Sequence, residues 1–212
     1  MKNYFRENVR DKAILTTSYV AGTLLDGPTG TGLDCYNQLI LDIDFTIGSL
    51  TTAEVKIEFS DELRYTLAYD GQTANFTAGK TITGQTSGVF AEIISDTDGG
   101  ATGTLIIGKP KGTKPNITAF IDNETIKDNN TTAGTAVVNG VIALDDTAFF
   151  QQTASSISSG TSTDTLLAHQ FSASGRYRIA VPIKDRFVRV SAKGTGTVTG
   201  SLMGIKATIG TV

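Results

Sequence analysis

Residue types able to do covalent or metal chemistry are scarce in this 212-residue chain, which makes their spacing informative. Ala74-Asn-Phe-Thr-Ala-Gly79-Lys80-Thr81 satisfies a relaxed nucleotide-binding P-loop pattern, with Ala in place of the first Gly. That chemistry needs a strand before the loop and a helix after it, so that backbone amides and the helix dipole meet a phosphate. The residues that follow, Thr81-Ile-Thr-Gly-Gln-Thr-Ser-Gly88, are β-branched and broken by Gly, a poor start for a helix. The spacing therefore predicts a plain β-turn. Asp96-Thr-Asp98-Gly99-Gly100 opens like a calcium loop, but the carboxylate required at the end of such a loop is missing. A tight hairpin turn is the expectation there. His169, in Leu167-Ala-His169-Gln-Phe171, falls on the inward side of a predicted strand, and no Ser-His-Asp arrangement can be drawn around it. The single Cys35 excludes a disulfide within the chain, and with one His it excludes a Cys/His zinc cage. No catalytic, cofactor-binding or metal-ligating residues are expected, and the reading is not an enzyme.

Charge is the other candidate source of function. Lys2, Arg6, Arg10 and Lys12 make the N-terminus basic, while Arg176, Arg178, Arg186 and Arg189 gather with Lys184 and Lys193 near the C-terminus. In a chain of net charge −3, these clusters are candidate contact residues for an acidic partner or a neighbouring subunit. The acidic balance argues against a main role in gripping nucleic acid or an anionic membrane. Nothing resembles the long apolar run of a membrane-spanning helix. Residues 1–12 lack the apolar core of a signal peptide, which points to assembly in a cytoplasm.

The elements that must position these residues are strands. Charged residues make up 18% of the chain, below the usual quarter, and 33 residues are Thr, a strand-favouring type. Leu39, Leu41, Ile43 and Phe45 alternate with Ile40, Asp42, Asp44 and Thr46. The same period of two runs through Ala53, Val55, Ile57 and Phe59, through Tyr65, Leu67 and Tyr69, through Tyr177, Ile179, Val181 and Ile183, and through Val188, Val190 and Ala192. A last strand over 197–209 shifts phase near Gly204, predicting a bulge, with Leu202, Ile205, Ala207 and Ile209 buried. Strand candidates at 13–20, 36–47, 53–60, 64–69, 141–151, 165–172, 176–192 (a pair) and 197–209 predict an all-β, antiparallel jelly-roll-type β-sandwich. An immunoglobulin-type sandwich is the rival.

The middle of the chain differs in kind. It is richer in Gly, Thr, Asn and Asp, and it repeats: Phe76-Thr-Ala-Gly-Lys-Thr-Ile82 aligns with Phe120-Ile-Asp-Asn-Glu-Thr-Ile126. After a two-residue slip, Ser87-Gly-Val-Phe-Ala91 aligns with Ala133-Gly-Thr-Ala-Val137. Two similar hairpin units predict a small β-barrel. The expected organisation is an N-terminal arm over 1–12, a discontinuous sandwich over 13–71 and 141–212, and an inserted small β-domain over 72–140. The arm carries no core pattern and is expected to order only against a partner.

Leu39-Ile-Leu-Asp-Ile-Asp-Phe45, Ala53-Glu-Val-Lys-Ile-Glu-Phe-Ser60, Gly175-Arg-Tyr-Arg-Ile-Ala-Val-Pro-Ile183, Arg186-Phe-Val-Arg-Val190 and Gly196-Thr-Val-Thr-Gly200 resemble the jelly-roll capsid cement, or decoration, proteins of tailed bacteriophages. Residues 76–88, with Ser95-Asp-Thr-Asp-Gly-Gly100 and Gly103-Thr-Leu105, resemble a module inserted in many phage virion proteins. The resemblance implies a protein on the capsid exterior that binds the major capsid protein and stabilises the assembled head, commonly as a homo-oligomer (dimer or trimer). It implies stabilisation without catalysis. The alternatives are a neck, collar or head-fibre component, or a carbohydrate-binding adhesin module.

Overall fold

The computed structural model describes residues 4–28, 32–113, 118–158 and 161–211. The chain opens with β1 (Tyr4–Ala13), β2 (Val20–Ala21), β3 (Gln38–Thr46) and β4 (Leu50–Ser60). Next come β5 (Arg64–Asp70), β6 (Thr81–Gly84), β7 (Val89–Asp98), β8 (Gly103–Gly108), β9 (Lys111–Gly112), β10 (Thr125–Asp128), β11 (Thr135–Val138) and β12 (Ala143–Leu144). After a 3-10 turn at Asp146–Ala148 follow β13 (Phe150–Gln151), β14 (Thr153–Ser158), β15 (Thr161–Leu166), β16 (Ala168–Phe171), β17 (Gly175–Pro182), β18 (Phe187–Gly196) and β19 (Leu202–Gly210). The fold is all-β, and its strand ladders are antiparallel. Two compact units share the chain: Met1–Asp61 with Phe149–Val212, and Glu62–Ala148.

The first unit holds a four-stranded sheet, β1-β19-β3-β17, and a second sheet, β13-β4-β18-β2, with β16 also on β4. Their inward residues make one core, which includes Leu41, Ile43 and Phe45 of β3, Val55 and Ile57 of β4, Val190 of β18 and Ile205 of β19. Each such buried side chain contributes about 1.5–3 kcal/mol relative to exposure. Period-two alternation of burial survives in β3 and β19 because one face of each must stay dry while the other meets solvent.

Three expectations change here. Residues 4–13 are not an arm but strand β1, laddered onto β19 from Tyr4 opposite Gly210 to Ala13 opposite Met203. Only Val9 on β1 is buried, so no alternation marks the strand. Main-chain bonding to β19 and the edge-on contact of Phe5 with Tyr36, ring centroids 5.1 Å apart, hold it. The bulge expected near Gly204 lies instead in β1, where register shifts on both sides of Arg10, while β19 runs in unbroken register with β3. In consequence Met203, not Leu202, enters the core. The 13–20 candidate is mostly loop, because β1 ends where it was to begin.

In the second unit, strands β11-β10-β6-β7-β8-β5 pair in that order and β5 pairs back to β11, closing a six-stranded barrel. Arg64–Asp70 belongs to this barrel rather than to the outer unit, and β12 pairs with it, so limits of 72–140 omit both strands that join the ends of the insert.

The sequence repeat is built into the barrel as a two-fold pairing pattern. Gly79 N–H donates to Ile93 O and Ile93 N–H to Lys80 O; Asn123 N–H donates to Val138 O and Val138 N–H to Glu124 O. In each copy a β-turn precedes the strand, closed by Lys80 N–H to Thr77 O and by Glu124 N–H to Ile121 O. Its third residue needs positive φ, met by Gly79 (φ 78°) and by Asn123 (φ 63°). The P-loop-like stretch is thus a turn leading into a strand. Thr83 sits opposite Lys127, its own counterpart in the repeat. Ile82 opposite Ala91 matches Ile126 opposite Ala136, so the true slip is one residue, not two. An alignment off by one would turn Ala136 and Val138, both buried, outward.

Candidate functional site

On β3 the alternation that buries Ile43 and Phe45 sends Asp42 and Asp44 to the other face of the four-stranded sheet. Register then decides what surrounds them. Asp42 lies opposite Arg178 on one side and Lys206 on the other; Asp44 lies opposite Arg176 and Gly204. Arg178 Nε donates to Asp42 Oδ1 at 2.7 Å, and this bond, with the carboxylate charge, raises the guanidinium pKa further. Lys12 Nζ reaches across β19 to Asp44 Oδ2 at 3.0 Å. It crosses where Gly204 has no side chain; a Cβ there would lie 3.2 Å from the Lys12 Cβ.

Asp42 and Asp44 therefore serve four flanking cations, Lys12, Arg176, Arg178 and Lys206, while a third groove carboxylate, Asp11, accepts from Asn8 Nδ2. Arg176 and Lys206, both exposed, are left without an anionic partner among the described residues. Arg10 beside them donates to Ile14 O, and its Nε is buried without an acceptor. Together these side chains line an open groove of about 980 Å³. The two basic clusters, far apart in sequence, meet here: Arg10 and Lys12 with Arg176 and Arg178. Arg6 is on β1 opposite Thr208, beyond the groove. Lys2 lies outside the described residues.

Arg186 and Arg189 are placed elsewhere. Arg186 pairs with Asp34 at 3.2 Å, with its guanidinium over the Phe187 ring. Arg189, expected on an exposed basic face, is buried, bonded to both oxygens of Glu58 at 3.0 and 3.1 Å, and stacked 4.4 Å from the Phe149 ring centre. Its strand, β18, is covered on both faces through residues 187–192, which overrides the reading of a solvated basic face. Around it, Lys56 joins Glu58 at 2.9 Å and Lys193 joins Glu54 at 3.2 Å. The Tyr19 ring lies between the two lysines, 4.8 and 4.7 Å from them, and its hydroxyl donates to Glu54. The bonds from Tyr19 and Lys193 lower the Glu54 pKa against the effect of burial, while burial and Glu54 raise that of Tyr19.

His169 is on β16 opposite Val55 and faces the core; burial lowers its pKa, and its Nε2 has no hydrogen-bond partner. Among the described residues no three His, Cys, Asp or Glu side chains converge as a metal site. The charged groove residues missed in the sequence are Asp11, Asp42, Asp44 and Lys206. The alternation of β3 already marked the two aspartates as outward, but only cross-strand register shows which cations they neutralise. Comparison with family models, curated proteins and solved structures finds no match to the chain.

Proposed function

We propose that this chain belongs to the class of jelly-roll structural proteins that act by binding. Within that class we read it as a decoration protein that docks on the exterior of an assembled phage head and stabilises it. Strand order supports the jelly roll. Counting β1, β2, β3, β4, β16, β17, β18 and β19 in turn, the first pairs with the last, the second with the seventh, the third with the sixth and the fourth with the fifth. The β19–β3 and β18–β4 ladders then gather these pairs into two sheets. A long antiparallel hairpin wrapped on itself produces this order.

Fold alone does not carry function. The observation that carries it is the open groove, where rigid strands hold cations in excess of the carboxylates between them. Such a face suits docking on an acidic surface, and resemblance to phage decoration proteins supplies the surface. A protein that binds only the assembled shell stabilises it by mass action at every site it fills. Quantifying the chain in purified particles tests this. A copy number that scales with the number of shell subunits is expected. A single ring's worth of copies indicates a neck or fibre part, glycan binding at low copy number indicates an adhesin, and absence from particles overturns the reading.

A further inference from the structure

Resting on that reading, the groove also indicates what kind of segment it receives. We propose that it binds an acidic polypeptide strand or loop of the shell protein, with carboxylates set on Arg176 and Lys206. A purely anionic chain fits poorly. Asp42 and Asp44 run down the middle of the face, between the cations of β1 and β19 on one side and those of β17 on the other. A nucleic acid offers phosphates, which accept hydrogen bonds but have no donor for those two carboxylates. A polypeptide offers both: side-chain carboxylates for the unpaired cations, and backbone N–H groups for the spare lone pairs of the aspartates.

The face is also preorganised. Asp42 and Asp44 sit mid-strand in β3, laddered on both sides, so binding does not have to order the backbone. Attraction between exposed charges of this kind is screened over roughly 8 Å at physiological ionic strength, so salt weakens the complex.

The test measures binding of the full chain to a short oligoglutamate peptide, with oligothymidylate as the competing probe. The wild-type chain binds oligoglutamate, with affinity falling as salt is raised. The double variant Arg176→Glu/Lys206→Glu weakens it by about tenfold or more. A matched double variant on the barrel, Lys111→Glu/Lys127→Glu, changes net charge equally at exposed positions and binds as wild type does. Unchanged thermal unfolding of both variants ties the loss to the groove. Equal loss in both double variants, or tighter binding of oligothymidylate, overturns the proposal. Particle occupancy separates this inference from the reading it rests on. If particles carry the Arg176→Glu/Lys206→Glu chain undiminished, the groove assignment fails and decoration stands. If particles lack the wild-type chain while oligoglutamate binding still maps to the two residues, decoration fails and the groove assignment stands.

Discussion

The outward faces of the two sheets in the first unit are built from the same residue types, yet one is closed and the other open. On β4 and β18, register sets Glu58 opposite Arg189 and Glu54 opposite Lys193, and Lys56 is shared between Glu58 and the Tyr19 ring. Each charge has a partner, and aromatic rings cover the cations. On β3 and its neighbours, Asp42 is flanked by two cations and bonds one, while Asp44 bonds Lys12 rather than the Arg176 opposite it. The difference lies in cross-strand stoichiometry and cover, not in composition. A buried charge left unpaired is costly, so the closed face must be satisfied internally. An exposed one keeps its hydration and remains free for a partner.

The largest blow to this contrast is removal of the strand that brings Arg10 and Lys12 to the open face. Deleting residues 2–11 should lower unfolding stability by about 2 kcal/mol or more, since Val9 leaves the core at about 1.5–3 kcal/mol and the half-buried Phe5 loses its packing against it. Chemical denaturation measures it. A deletion that unfolds like the full chain would mean that β1 is the loose arm its sequence suggests.

Glu58→Gln strikes the closed face and should cost about 3–5 kcal/mol by leaving the Arg189 guanidinium buried and under-compensated. A loss below 1 kcal/mol, roughly the value of an exposed pair, would erase the distinction between the faces. His169 provides a milder probe on the core side of the same sheet. Its folded-state pKa is depressed, so below the ordinary value of 6.5 the unfolded chain binds a proton that the folded chain resists. Stability should therefore fall as pH drops through that value towards the folded-state pKa. For one proton the slope is at most about 1.4 kcal/mol per pH unit. Glutamine at 169, which cannot titrate, should flatten the slope in urea titrations between pH 7 and 5, values chosen around the histidine range. A wild-type curve already flat there would show that the ring is well solvated.

The smallest effect belongs to the open face. Asp42→Asn breaks an exposed pair and should change stability by less than about 1 kcal/mol, with the difference shrinking as salt rises. If Asp42→Asn proves as damaging as Glu58→Gln, the groove is a stability element and not a docking surface.

What the sequence determined by itself is the set of strands that must keep one face dry. Leu39 to Phe45, Val55 to Phe59 and Tyr177 to Val181 declare their inward side by alternation, because burial imposes a period of two on any strand with one wet face. The duplicated turn, Gly79 in one copy and Asn123 in the other, was legible for a similarly local reason: positive φ narrows the choice of residue. Tertiary structure alone decided the rest. Tyr4 to Ala13 has no pattern to read, since backbone bonds to β19 hold it and backbone bonds leave no trace in side-chain identity. Arg189 looked like any outward arginine until Glu58 and Phe149, distant in sequence or on another segment, enclosed it. The groove belongs to this second kind. Two of its aspartates come from the third strand and one from the first, its cations from the first and from two near the C-terminus, and antiparallel register between segments more than a hundred residues apart sets which charges cancel and which remain. Coulomb pairing depends on distance in space, which a one-dimensional pattern does not encode.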